Sequence, residues 1–185
     1  MSAAETMADT QVADDMRRHA LAQGVAALDT YLHWAIADVS LDSVPNALKK
    51  LEIPFEDLIV LSEAVVADRA KIRPKVRARH VLERVTLTMS FQSSRGVETA
   101  MHLLGIRNVF KKVADHIQPH QAPADIKERL DRIVRRRNQI VHEGDLQRQS
   151  RPQNIKREVT SHGRIADDLR WIRSLVVAVD AVATS

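Results

Sequence analysis

The chain has 185 residues, 44% of them hydrophobic, with 28 Lys and Arg against 24 Asp and Glu and no cysteine. One domain, 1–185, with a sizeable core fits that length, and the missing cysteines exclude disulfides, thiolate metal sites and a cysteine nucleophile. No apolar run reaches the roughly 18 residues of a membrane span, and Met1 to Asp15 lacks signal-peptide blocks, so a cytoplasmic chain with no membrane partner is expected. Residues 1–10 read as a flexible tail. Leu21, Gly24, Val25, Leu28, Leu32, Ala35, Ile36 and Val39 recur at helical spacing and predict a first helix over 10–40. Asp42, Ser43 and Pro45 form a turn that opens a short helix through Leu51. Pro54, followed by Glu56 and Asp57, starts another helix to about Asp68. Pro74 begins a basic helix with the stripe Ala78, Val81, Leu82, Val85 and Met89. Ser93 and Ser94 cap a further helix, which Gly105 separates from one carrying Ile106, Val109, Phe110, Val113 and Ile117. Pro123 with Asp125 opens a helix that Gly144 ends just beyond His142. Residues 144–161 form a polar, basic loop, and a last helix starts near Ser161 with Ile165, Leu169, Ile172, Val176 and Val179 on one face. Strand-type alternation is missing, so the fold class is all-α, a helical bundle with long first and last helices and shorter ones between.

Charge divides the chain. Residues 1–68 carry 4 basic and 12 acidic side chains, whereas residues 69–185 carry 24 and 12. Clustered cations attract polyanions by releasing condensed counterions, which points to a polyanion partner. The densest run is Arg69, Lys71, Arg73, Lys75, Arg77, Arg79 and Arg84; a second comprises Lys127, Arg129, Arg132 and Arg135-Arg136-Arg137. The alternative for either run is a solvated helix face. Five glycines form no phosphate-cradling loop, and 3% aromatics supply no base-stacking platform.

The 123–143 helix is the most informative stretch. At about 100° per residue, Ile126, Leu130, Ile133, Val134, Ile140 and Val141 make one apolar stripe, and Arg137 falls in its middle. A guanidinium stays charged and is rarely buried unpaired. Arg137 therefore calls for a carboxylate, a crevice at a helix or subunit seam, or a phosphate. Asp29 on the first helix is a candidate carboxylate partner, the alternative being a surface or seam polar group beside His33. Asn138 and His142 flank the stripe one turn apart.

Arg137-Asn138-Gln139-Ile140-Val141-His142 resembles the signature of the HEPN superfamily (higher eukaryotes and prokaryotes nucleotide-binding), an arginine followed after four to six residues by a histidine. The string from Leu130 to Gly144 is similar to the RiboL-PSP-HEPN branch. The first-helix segment from Ala27 to His33, the helix from Ile106 to Ile117 and the long last helix agree, so the resemblance covers most of 15–183. It implies a HEPN-like bundle and a two-fold homodimer whose two Arg/His pairs meet in a cleft and cleave single-stranded RNA without metal or other cofactor. The reaction implied is attack of a ribose 2′-hydroxyl on the adjacent phosphate, leaving a 2′,3′-cyclic phosphate and a 5′-hydroxyl. Arg137, Asn138 and His142 then take the catalytic places. The resemblance further implies a role in toxin–antitoxin or phage-defence systems, with a cognate antitoxin or regulatory protein as partner.

The residue types suit that chemistry. Histidine titrates near neutrality and moves a proton, arginine clamps a phosphate oxygen as charge builds, and Asn138 orients either by hydrogen bonding. Arg135, Arg136 and Arg137 all satisfy the spacing. Asn138 and the stripe favour Arg137, whereas Arg135 lies nearer His142 on an ideal helix. Arg135 and Arg136, with Arg77, Arg79 and Arg84, are the expected RNA contacts, joined by the 144–161 loop. Two other readings stand beside this one: a catalytically inactive HEPN module that binds RNA or a nucleotide, and a helical adaptor whose basic surface docks an acidic protein. No metal site is expected, because HExxH is absent and Pro119 separates His116 from His120. A Ser-His-Asp site lacks its elbow motif. Trp34 and Trp171 read as packing residues.

Overall fold

The computed structural model describes residues 10–67, 74–145 and 161–184. Among them lie seven α-helices and no strand: α1 (Thr10–Ala37), α2 (Phe55–Ala67), α3 (Pro74–Leu87), α4 (Ser94–Leu103), α5 (Val109–His116), α6 (Pro123–Glu143) and α7 (His162–Ala183). The fold class is all-α, as the periodicity predicts. α1 packs on both α6 and α7, and α5 touches those same two helices, which closes a ring of four. α4 adds contacts to α1, α5 and α6, while α3 lies on α1 and α2 lies on α3.

The ring holds because its apolar stripes meet. Leu21, Val25, Leu28, Leu32 and Ile36 of α1 join Ile126, Leu130 and Ile133 of α6, Ile172, Leu175 and Val179 of α7, and Phe110 and Val113 of α5 in one buried cluster. Each such side chain contributes about 1.5–3 kcal/mol relative to exposure, far more than helix propensity supplies per residue. Gly24 lets α1 and α7 approach: a Cβ there would lie 2.5 Å from Leu169 Cδ2.

Two acids from the ring fix the turn between α3 and α4. Asp29 Oδ1 of α1 accepts from the Phe91 N–H at 2.6 Å, and Asp131 of α6 accepts from the Ser94 N–H and hydroxyl at 2.8 and 2.7 Å. Ser93 is the N-cap of α4, its hydroxyl accepting from the Gly96 N–H at 3.1 Å.

Three expectations need correction. The short helix through Leu51 is only a 3-10 turn, Leu48–Lys50. The first helix ends at Ala37, short of residue 40. Trp34 is 72% exposed rather than packed, because it stands two residues, about 200°, round α1 from the buried Leu32. Trp171 does pack, under Arg129 with its Nε1 donating to Gln121 at 3.0 Å. The tail over residues 1–9 and the loop over 146–160 lie outside the described residues. Among the described residues no helix is long and apolar enough to cross a membrane.

Tyr31, the single tyrosine, donates its hydroxyl to Asp180 Oδ1 at 2.8 Å across the α1–α7 seam. Burial raises its phenol pKa above the ordinary 10.0, and the hydrogen bond and charge of Asp180 raise it further. The neutral phenol is thus favoured by folding; that stability is complete below pH 10 and is lost as pH rises through the folded value. In an ultraviolet titration, the native protein is expected to show little tyrosinate at pH 10, where the unfolded chain is about half ionised. Asp180→Asn should shift the native curve down toward the unfolded one; coincident native and unfolded curves in the wild type would refute the coupling.

Candidate functional site

α6 is built to stop where it does. Pro123 stands in its first turn, and Gly144 takes a left-handed conformation at φ 60°, its N–H bonding the Gln139 carbonyl. Asp145 follows, also left-handed at φ 61°, a conformation aspartate tolerates better than most residues. Its carboxylate is fully buried and accepts from Arg18 Nε at 2.7 Å and from Arg136 Nη2 at 2.8 Å. Burial lowers the pKa of Arg18, but the hydrogen bonds and charges of Asp145 and Asp15 outweigh it and hold the guanidinium above its ordinary value. This clamp ties the first turns of α1 to the last turn of α6. Neither Arg18 nor Asp145 announces itself in the sequence; the one local signal is a short acid directly after a helix-ending glycine.

His142 stands exposed in that last turn, and Asn138 stands exposed one turn earlier. Arg137 Nη1 donates to Asn138 Oδ1 at 3.1 Å. The three motif residues thus share the free end of α6. The expected burial of Arg137 does not occur: the residue is half-buried, with only its Nε enclosed and without a hydrogen-bond partner. The reason is that the stripe leaves the core. Ile126, Leu130, Ile133 and Val134 are buried, Ile140 is half-buried, and Val141 is 49% exposed. Asp29 is not a partner for Arg137; besides Phe91, it accepts from Gln92 Nε2 at 3.3 Å.

The cations sort into two groups. Arg84 pairs with the buried Asp57 at 2.8 Å, Arg79 reaches Asp38 at 3.5 Å and the Val39 carbonyl at 3.3 Å, and Arg136 is held by Asp145. Lys75 bonds Asp42 at 2.6 Å. Asp38, Asp42 and Asp57 of the acidic first third thus pair with the basic α3. Arg79, Arg84 and Arg136, expected on RNA, each pair with a carboxylate of the chain itself. Arg77 and Arg135 are exposed, and no ion pair among the described residues engages either.

Beside the motif, a crevice of about 330 Å³ separates α6 from the start of α7. Arg132, Arg135, Arg136 and Gln139 come from α6, Ser161 and Arg164 from the start of α7. Its floor is apolar, made by Leu21, Ile133 and Ile165. Asp168 on the wall is shared by Arg129 and Arg132, each at 3.5 Å. At the end of α6, Val141 is 49% exposed, beside His19 of α1. Among the described residues no group of three His, Asp or Glu is arranged to hold a metal ion. No family model, curated protein or solved structure matches the chain.

Proposed function

We propose that the protein is a metal-independent endoribonuclease of HEPN type, cutting single-stranded RNA in a cleft between two copies of the chain. What supports this reading is the last part of α6, where Arg137 bonds Asn138 and His142 stands exposed one turn beyond Asn138. In the cleft, one His142 takes the proton of the ribose 2′-hydroxyl as that oxygen bonds phosphorus. The other returns a proton to the departing 5′-oxygen as its bond to phosphorus breaks. Arg137 holds the phosphate oxygens as charge develops, and Asn138 keeps its guanidinium aimed. A dimer through this end would cover Val141, which is 49% exposed. In a cell, such an enzyme needs restraint by an antitoxin or regulatory protein.

The test is incubation of single-stranded RNA with the protein in excess chelator, with end-group analysis of the products and light scattering on the same sample. The expected result is cleavage with 2′,3′-cyclic phosphate ends by a species of twice the chain mass, 20.8 kDa. An inert monomer would overturn it.

One observation favours a second reading, a partner-docking module. Phe55, Leu58, Ile59 and Val66 share one face of α2 and are exposed, an apolar face beyond ordinary surface scatter. Salt-insensitive binding of a protein partner, with no RNA cleavage, would select it.

A further inference from the structure

We infer that the crevice between α6 and the start of α7 is a phosphate-binding subsite that anchors a nucleotide phosphate beside the motif. Arg135 and Arg164 both line it, from two helices, both exposed and neither engaged in an ion pair among the described residues. The other arginines of the wall are already balanced, Arg136 by Asp145 and Arg132 by Asp168. The uncompensated charge of the crevice is therefore positive and sits on two forks suited to phosphate oxygens. The start of α7 adds to this. Ser161 precedes the helix without its hydroxyl capping a backbone N–H, and the helix dipole places partial positive charge at the same mouth. Gln139 supplies a neutral donor, and the apolar floor excludes a second charged group.

The crevice lies on the side of α6 that carries His142, with Arg137 about 200° round the helix from Arg135. Arg132, Arg135, Gln139 and His142 follow one another at i, i+3, i+7 and i+10, a single polar row about 15 Å long on α6. A phosphate seated between Arg135 and Arg164 lies on the same row as the histidine. That the anchored phosphate belongs to an RNA strand rests on the ribonuclease reading; that the crevice holds a phosphate does not.

The test measures binding of a short fluorescent 2′-O-methyl RNA, which lacks the attacking hydroxyl, to the full-length wild type, Arg164→Ala and Arg173→Ala. Arg173 is exposed further along α7 and lines no part of the crevice. Arg164→Ala is expected to weaken binding about tenfold and to flatten the slope of log affinity against log salt by about 0.7, the loss of one phosphate contact to a single strand. Arg173→Ala should leave both unchanged. Competition by 5′-AMP identifies the source: displacement at equal affinity makes the site one for free nucleotides, and failure to displace makes it a subsite of the strand. Equal affinity and slope for wild type and Arg164→Ala would overturn the inference, even if the enzyme cleaves. So would an absence of binding to both probes. Arg164-dependent binding by a protein that cuts no RNA would keep the subsite and remove the ribonuclease.

Discussion

His142→Ala is expected to lower the rate of RNA cleavage by about 10²–10⁴, the usual contribution of a general acid or base. The fold should not notice. His142 is exposed at a helix end, so its truncation opens no core cavity, and changes at such positions usually cost within about 0.5 kcal/mol. Imidazole is nonetheless the one group of the motif whose unperturbed titration lies near neutrality. Arg137→Ala should impair cleavage as well, and its half-buried position now predicts a modest stability loss rather than that of a core residue. Single-turnover cleavage paired with thermal melts separates these effects. Wild-type cleavage by His142→Ala would end the ribonuclease reading, while a collapsed melt would mark the imidazole as structural.

Asp145→Ala is expected to destabilise the protein by about 3–5 kcal/mol, the range for removing one partner of a buried charge cluster. The substitution would leave Arg18, only 7% exposed, with Asp15 but without its buried carboxylate, and Arg136 without the acid that holds it. Repulsion then adds to the cost of two poorly hydrated guanidiniums. Asp145→Asn keeps the shape and one acceptor but removes the charge, so a smaller loss is expected. Urea denaturation followed by circular dichroism reads both as shifts in midpoint at constant slope. A loss below about 1 kcal/mol for Asp145→Ala would mean that water reaches the cluster and screens it.

Most of the fold was legible in the sequence because its signals are local. The 3.6-residue stripes of α1, α6 and α7, the Ser93 cap and the Gly144 stop each act within a few residues, and each appears where its spacing places it. The motif end of α6 was legible for the same reason. What escaped was pairing across distance. Nothing near Asp29 says that it will hold the Phe91 amide, and nothing near Arg84 says that Asp57 will neutralise it. Arg137 shows the limit of a helical wheel. The wheel gives the face on which a side chain lies, but not how far the neighbouring helices extend along that face, and α6 outruns its core after Val134. Arg164 and Ser161 were passed over because they stood out only as the start of a helix; the crevice they complete needs α6 beside them.

The pairing of α1 with α7 bears on how the chain is made. α1 packs on α3, α4 and α6, but its largest partner, α7, comes last of these in the chain, and Arg18 pairs with a carboxylate 127 residues later. Closures over such separations cost chain entropy before any contact offsets it. The ring therefore cannot assemble piece by piece as the polypeptide emerges, and α6 leaves the ribosome before the helix that seats it. The four-helix ring is complete only once α7 has been made.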